Sequence, residues 1–162
     1  MDRLVLLMGS NEGNREEYLQ KALSCVVDLL GLPLVSSRIW ETAVWGGVAH
    51  ASFLNQAHSF FTLLDPFELL HSLKRIESQM GRRATERWGN REIDIDILVY
   101  GSQCVSDSIL QIPHPRLAER RFALIPLMEV APEWRHPTTG KSAAELLAEC
   151  TDEASVCLHQ QV

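Results

Sequence analysis

Residues Arg87 to Tyr100 read Arg-Trp-Gly-Asn-Arg-Glu-Ile-Asp-Ile-Asp-Ile-Leu-Val-Tyr and hold the densest set of chemically capable groups in the chain. The spacing predicts a strand from Arg91, with Ile93, Ile95 and Ile97 on one side and Asp94, Asp96 and Leu98 on the other. Two carboxylates on one face of an otherwise apolar strand are costly unless a cation lies between them. Hard oxygen donors two residues apart suit magnesium. A plainer reading has the two acids covering an exposed sheet face and pairing with arginines; the apolar flanks favour the metal. Just upstream stand Arg82, Arg83, Arg87 and Arg91. Guanidinium forks match phosphate oxygens, and the chain has twelve arginines to three lysines. Solvation of a surface loop also accounts for such a run, but Trp88 within it favours a bound partner. Carboxylates beside guanidiniums indicate a magnesium-phosphate site.

Further candidates lie outside this stretch. His114 sits between Pro113 and Pro115, which hold its backbone extended, close in sequence to Arg116, Arg120 and Arg121. It is either a structural histidine or a second phosphate contact. Asn55 offers a donor and an acceptor for an amide-bearing heterocycle, or for neighbouring backbone. Phe53 and Phe122 serve as stacking faces or as core.

The elements that must position these groups follow from periodicity and caps. Leu4 to Met8 reads as a buried strand ended by Gly9-Ser10-Asn11. Asn14 and Glu17 open a helix whose stripe is Leu19, Ala22, Leu23, Val26, Val27 and Leu30, closed by Gly31 and Pro33. Leu34 to Trp40 reads as a second strand, Glu41 to Ser52 as a loop, and Phe53 to Leu63 as a third strand antiparallel to the second. Asp65, Pro66 and Glu68 open the next helix, with Leu69, Leu70, Leu73, Ile76 and Met80 inward and Gly81 at its close. Gly81 to Asn90 reads as a loop, Gly101 to Ser108 as a turn region, Phe122 to Val130 as a helix interrupted at Pro126, and Ser142 to Cys150 as another helix. The order strand-helix-strand-strand-helix-strand predicts an α+β, ferredoxin-like split βαβ sandwich (βαββαβ) with a helical C-terminal extension. Residues 1–162 are expected to form a single domain.

Composition bounds the rest. The net charge of −6 argues against a general nucleic-acid surface, yet seven of the twelve arginines fall between Arg82 and Arg121, which suits a small polyanion. Cys25, Cys104, Cys150 and Cys157 show no metal-binding spacing. No apolar stretch reaches membrane-spanning length and no signal peptide is evident, so a cytoplasmic protein without a membrane partner is expected.

Several blocks occur together in one order: Gly9-Ser10-Asn11, Phe53-Leu54-Asn55, Arg75-Ile76-Glu77, Gly81-Arg82, Arg87-Trp88-Gly89-Asn90-Arg91-Glu92-Ile93-Asp94-Ile95-Asp96 and Ile112-Pro113-His114-Pro115-Arg116. From about Leu4 to Pro132 the chain resembles the 6-hydroxymethyl-7,8-dihydropterin pyrophosphokinase family of the folate pathway. The resemblance implies transfer of diphosphate from ATP to the hydroxymethyl group of the pterin, with AMP released. It implies that Asp94 and Asp96 hold two magnesium ions and that Arg82, Arg91, His114 and Arg120 contact the phosphates. Glu77 and Ile97 would seat the adenosine, with Lys74 where some members have glutamine near adenine. Phe53 and Phe122 would sandwich the pterin, read along its polar edge by Asn55 and by backbone at Thr42, Ala43 and Trp45. Trp88 would fold in as a lid closes, and Asp96 or water would accept the hydroxyl proton. Arg83 stands beside Ala84, where a second basic residue is common, and Asn90 replaces a usual proline. Two other readings compete: a nucleotidyltransferase, which also combines Gly-Ser with Asp-x-Asp, and a non-catalytic ferredoxin-like ligand-sensing module.

Overall fold

A computed structural model of the chain describes residues 2–42, 51–81 and 92–160. In chain order it contains β1 (Asp2–Ser10), α1 (Arg15–Leu30), β2 (Val35–Ser36), β3 (Trp40–Thr42), β4 (Phe53–Thr62) and α2 (Pro66–Gln79). There follow β5 (Asp94–Tyr100), β6 (Val105–Ser106), β7 (Gln111–Ile112), a 3-10 turn (Leu117–Glu119), α3 (Arg121–Val130), α4 (Ala143–Glu149) and β8 (Val156–Leu158). The main sheet runs β5-β1-β4-β3-β8, with β2 also on β4, and every pairing in it is antiparallel.

Local signals account for both long helices. The Asn14 side chain accepts the Glu17 N–H, and Gly31 closes α1 at φ 86°, a left-handed value that glycine adopts without strain. Asp65 and Glu68 form a full capping box at α2, with Pro66 in the first turn. Their apolar stripes, Leu19, Ala22 and Val26 on α1 and Leu69, Leu73 and Ile76 on α2, close over Leu4, Leu6, Met8, Leu54 and Phe60 of the sheet. Each such side chain fully buried contributes about 1.5–3 kcal/mol.

The opposite face is also covered. α3 and α4 bring Leu124, Leu127, Val130 and Leu146 onto Val5, Leu7, Ala57, Leu98 and Val99. The helical extension is therefore a third layer of the fold, and its last element is a strand: β8 adds to β3 and forms one edge of the sheet.

Four local expectations change. The strand expected over 34–40 is broken into β2 and β3. Between them the Ser37 hydroxyl accepts the Ala57 N–H, which takes the place of a regular ladder bond. α3 is continuous through Pro126, which sits buried in its second turn. β5 begins at Asp94 rather than Arg91, and its alternation is interrupted. The register with β1 passes from Leu6↔Ile97 to Val5↔Val99, leaving Leu98 as an extra residue. This bulge turns both Leu98 and Val99 toward α3 and sends Tyr100 back to the α1–α2 side. The turn region after β5 also contains a small hairpin, β6 with β7.

Candidate active site

The face carrying α3 is apolar under that helix and polar beyond its N-terminus. Leu7 pairs with both Asp96 and Ala57, and Gly9 pairs with both Asp94 and Asn55. Residues two apart on a strand share a face, so Asp94, Asp96, Gly9, Asn55 and Phe53 all open onto the same side. Gly9 is required by this crowding: a Cβ there would lie 2.7 Å from the Asn55 Oδ1 and 3.7 Å from the Phe53 ring. Asn55 is buried, and its amide donates to the Thr42 hydroxyl at 3.2 Å, leaving Oδ1 turned toward Gly9. Thr42 thus contributes its side chain as well as its backbone to this corner.

Asp94 and Asp96 are half-buried. Burial first, and then the Asp94 carboxylate, push the Asp96 carboxyl up to about 7, opposed by Arg120 and Lys74. Two acids held this close repel one another, and a cation between them would relieve the repulsion. Magnesium commonly takes one or two carboxylates and keeps the rest of its shell for water and phosphate oxygens. The pair fits that ion, and no cluster of three or more metal-type side chains occurs among the described residues.

On the other side of the acids, a cavity of about 280 Å³ follows the open edge of β5. Leu70 and Lys74 of α2, Ile95 to Ile97 of β5, the β6–β7 hairpin and His114 line it. The His114 N–H donates to the carbonyl of Leu98, the bulged residue, at 2.9 Å, so the irregularity in β5 also anchors the histidine. Its Nδ1 accepts the Arg116 N–H at 3.2 Å, which puts the ring proton on Nε2. Burial, reinforced by Arg120, lowers its pKa to about 4, and His114 therefore meets a ligand as a neutral donor.

Arg120 precedes α3 with its guanidinium 5.5 Å from the Phe122 ring centre, and both acids hold it electrostatically. Glu77 is only 2% exposed and does not line the cavity. Its Oε1 accepts the Ile95 N–H at 2.8 Å, and Lys74 lies 3.5 Å from its other oxygen. It braces the edge strand that forms the cavity wall. Arg82, Arg83, Trp88 and Arg91, with Ala43 and Trp45, lie outside the described residues. Sequence reading missed the hairpin wall, including Ile109 and Gln111, because strands of two residues show no periodicity.

Residues 5–132 match the family 7,8-dihydro-6-hydroxymethylpterin-pyrophosphokinase (HPPK). The chain belongs to this family. A 2-amino-4-hydroxy-6-hydroxymethyldihydropteridine pyrophosphokinase of Aquifex aeolicus is 36% identical over 158 residues, which is 98% of each chain. The enzyme of that name from Bacillus subtilis is 40% identical, covering 77% of this chain and 75% of its own. Among solved structures, an HPPK-DHPS crystallised in complex with substrates matches with TM-score 0.71 at 17% identity. A wild-type Plasmodium falciparum HPPK-DHPS with SDX-DHP matches with TM-score 0.74 at 16%. This HPPK chain is covered to 91% by both, yet spans only 43% and 44% of their lengths, so these two likenesses speak to fold.

Proposed function

We propose that this HPPK family member transfers diphosphate from ATP to 6-hydroxymethyl-7,8-dihydropterin in folate biosynthesis, releasing AMP. It does so as a single cytoplasmic domain on a ferredoxin-like split βαβ framework. The observation that carries this reading is the position of Asp94 and Asp96. On one side of them lies the β5 cavity with Lys74, Ile97 and His114, and on the other the row of Gly9, Asn55 and Phe53. A nucleotide along β5 and a flat heterocycle over β4 would meet at the two acids.

Two magnesium ions would be held by Asp94 and Asp96, and when bound with ATP they supply neutralisation of polyphosphate charge. The chain's own groups then do the positioning. Arg120 contributes fixed positive charge and His114 a neutral N–H to phosphate oxygens, while Lys74 and Ile97 border the base and Glu77 acts through β5. Arg82, Arg83, Arg91 and Trp88 complete the phosphate side in this reading. Phe53 and Phe122 stack on the pterin, and Asn55, its amide turned by Thr42, presents Oδ1 to the ring's polar edge beside Ala43 and Trp45. Such transfer depends chiefly on in-line placement and charge stabilisation, which this arrangement suits.

The test is incubation with ATP, magnesium and the hydroxymethyl dihydropterin, with nucleotide and pterin products separated. AMP and a diphosphorylated pterin are expected. ADP, a nucleotide joined to the acceptor, or binding without ATP consumption would overturn the reading.

A further inference from the structure

The segment 151–160 lies beyond the stretch that matches the family, and it makes two anchorages beside the pterin side of the site. The first is at α3. Arg120, the residue before that helix, supplies no side-chain cap. The Oδ2 of Asp152 instead accepts the Arg121 N–H at 3.2 Å, while its Oδ1 accepts the Ala154 N–H at 3.0 Å. A carboxylate at this helix end is favoured both by the unsatisfied N–H and by the helix dipole. The next residue of α3 is Phe122.

The second anchorage is at β3. β8 pairs Val156 with Thr42, Cys157 with Glu41 and Leu158 with Trp40. His159 then donates its backbone N–H to the Ile39 carbonyl at 2.9 Å. Its ring stands between two acids, Nδ1 at 3.0 Å from Glu41 and Nε2 at 2.6 Å from Glu16. Glu41 also accepts the Ser52 hydroxyl at 2.9 Å and lies 3.6 Å from the Arg15 guanidinium. Charge-assisted bonds of this kind are among the stronger ones available near a surface.

We propose that the segment from Asp152 to His159 is a positioning strap, which ties the first turn of α3 to β3 and so sets how firmly the pterin ring is held between them. The proposal rests on the assignment of Phe122, Phe53, Asn55 and Thr42 to the pterin. Phe122 rides on the element anchored by Asp152. The Thr42 hydroxyl, which orients the Asn55 amide, rides on the strand anchored by β8 and His159. β5, with the proposed nucleotide cavity, forms the opposite edge of the sheet from β8. Loosening the β3 anchorage therefore acts on the pterin and spares ATP, whereas the α3 anchorage lies one residue from Arg120 and reaches the phosphate side as well.

Steady-state kinetics with each substrate varied in turn test this in Asp152→Ala, Asp152→Ser, His159→Ala and His159→Gln. Either alanine substitution should raise KM for the pterin about tenfold, and His159→Ala should hold KM for ATP within about twofold. Asp152→Ser can still cap the Arg121 N–H and should return close to the parent value. Lys141→Ala, which breaks an exposed ion pair to Glu149 on α4, should change neither constant. Unchanged pterin KM in folded alanine variants, or equal rises in both constants in His159→Ala, would overturn the strap. If the alanine variants fail to fold, His159→Gln, which cannot carry the charge that binds both Glu16 and Glu41, is read by the same criterion. A parent protein that releases no AMP counts against the proposed reaction; pterin binding by calorimetry across the same variants then decides the strap separately.

Discussion

The two faces of the sheet use the same strands to opposite ends. Toward α1 and α2, Leu4, Leu6, Met8, Leu54, Phe60, Ile95 and Ile97 form an apolar band across β1, β4 and β5, interrupted on β4 by Gln56 and His58. Toward α3 and α4, the strands are apolar only as far as the helix reaches, and then give way to Gly9, Asn55, Asp94 and Asp96. α3, at ten residues, is too short to roof the whole sheet. The difference teaches that the site exists where the second helical layer stops. On β1 and β4 the covered and open positions, Leu7 and Gly9, Ala57 and Asn55, are only two residues apart.

The strongest way to break this comparison is to remove an acid from the open face. Asp94→Ala and Asp96→Asn should each lower kcat about a thousandfold, as loss of a main electrostatic element does, while circular dichroism stays that of the parent. Parent-like turnover in either variant would detach the reaction from this face.

On the closed face the polar exceptions should register in stability. His58 is fully buried, its Nδ1 2.8 Å from the Ser36 hydroxyl, and burial lowers its pKa from 6.5 to about 4. The unfolded chain therefore takes up a proton that the folded chain refuses. Stability from this group is complete above pH 6.5 and falls progressively toward pH 4, by about 3 kcal/mol. Urea melts across that window should show the slope, and His58→Gln should flatten it. Glu77→Ala would leave the buried Ile95 N–H without its partner and should cost about 1–3 kcal/mol in the same melts, with kcat reduced less than in the acid variants. Gly9→Ala should have the smallest effect. By displacing the Asn55 amide it should weaken pterin binding about tenfold, measured by titration, with ATP binding retained.

Much of this is legible in the sequence. The stripes and caps of α1 and α2 were legible because both signals reside within a turn or two of chain. The paired acids were legible because strand geometry has period two. The Leu98 bulge was not, since an Ile-Leu-Val-Tyr run is apolar in either phase and only the register against β1 reveals the extra residue. The continuity of α3 is not legible either, because a proline removes one helix bond, and only the fold shows Pro126 buried within an unbroken helix. That Glu77 takes the Ile95 N–H is not legible, because the two residues lie 18 positions apart and no local period links them.

By itself, the sequence determined the order of elements, the shared face of Asp94 and Asp96, and the blocks that mark the family. All of these depend on neighbours a few residues apart. Only the tertiary structure decided that, among the described residues, α3 roofs this face only as far as Arg121, and that a bulge carries His114 to the cavity. It also decided that Asp152 and His159 reach back to α3 and β3. Those outcomes depend on which distant segments pack together, and no local period or cap encodes where a layer ends.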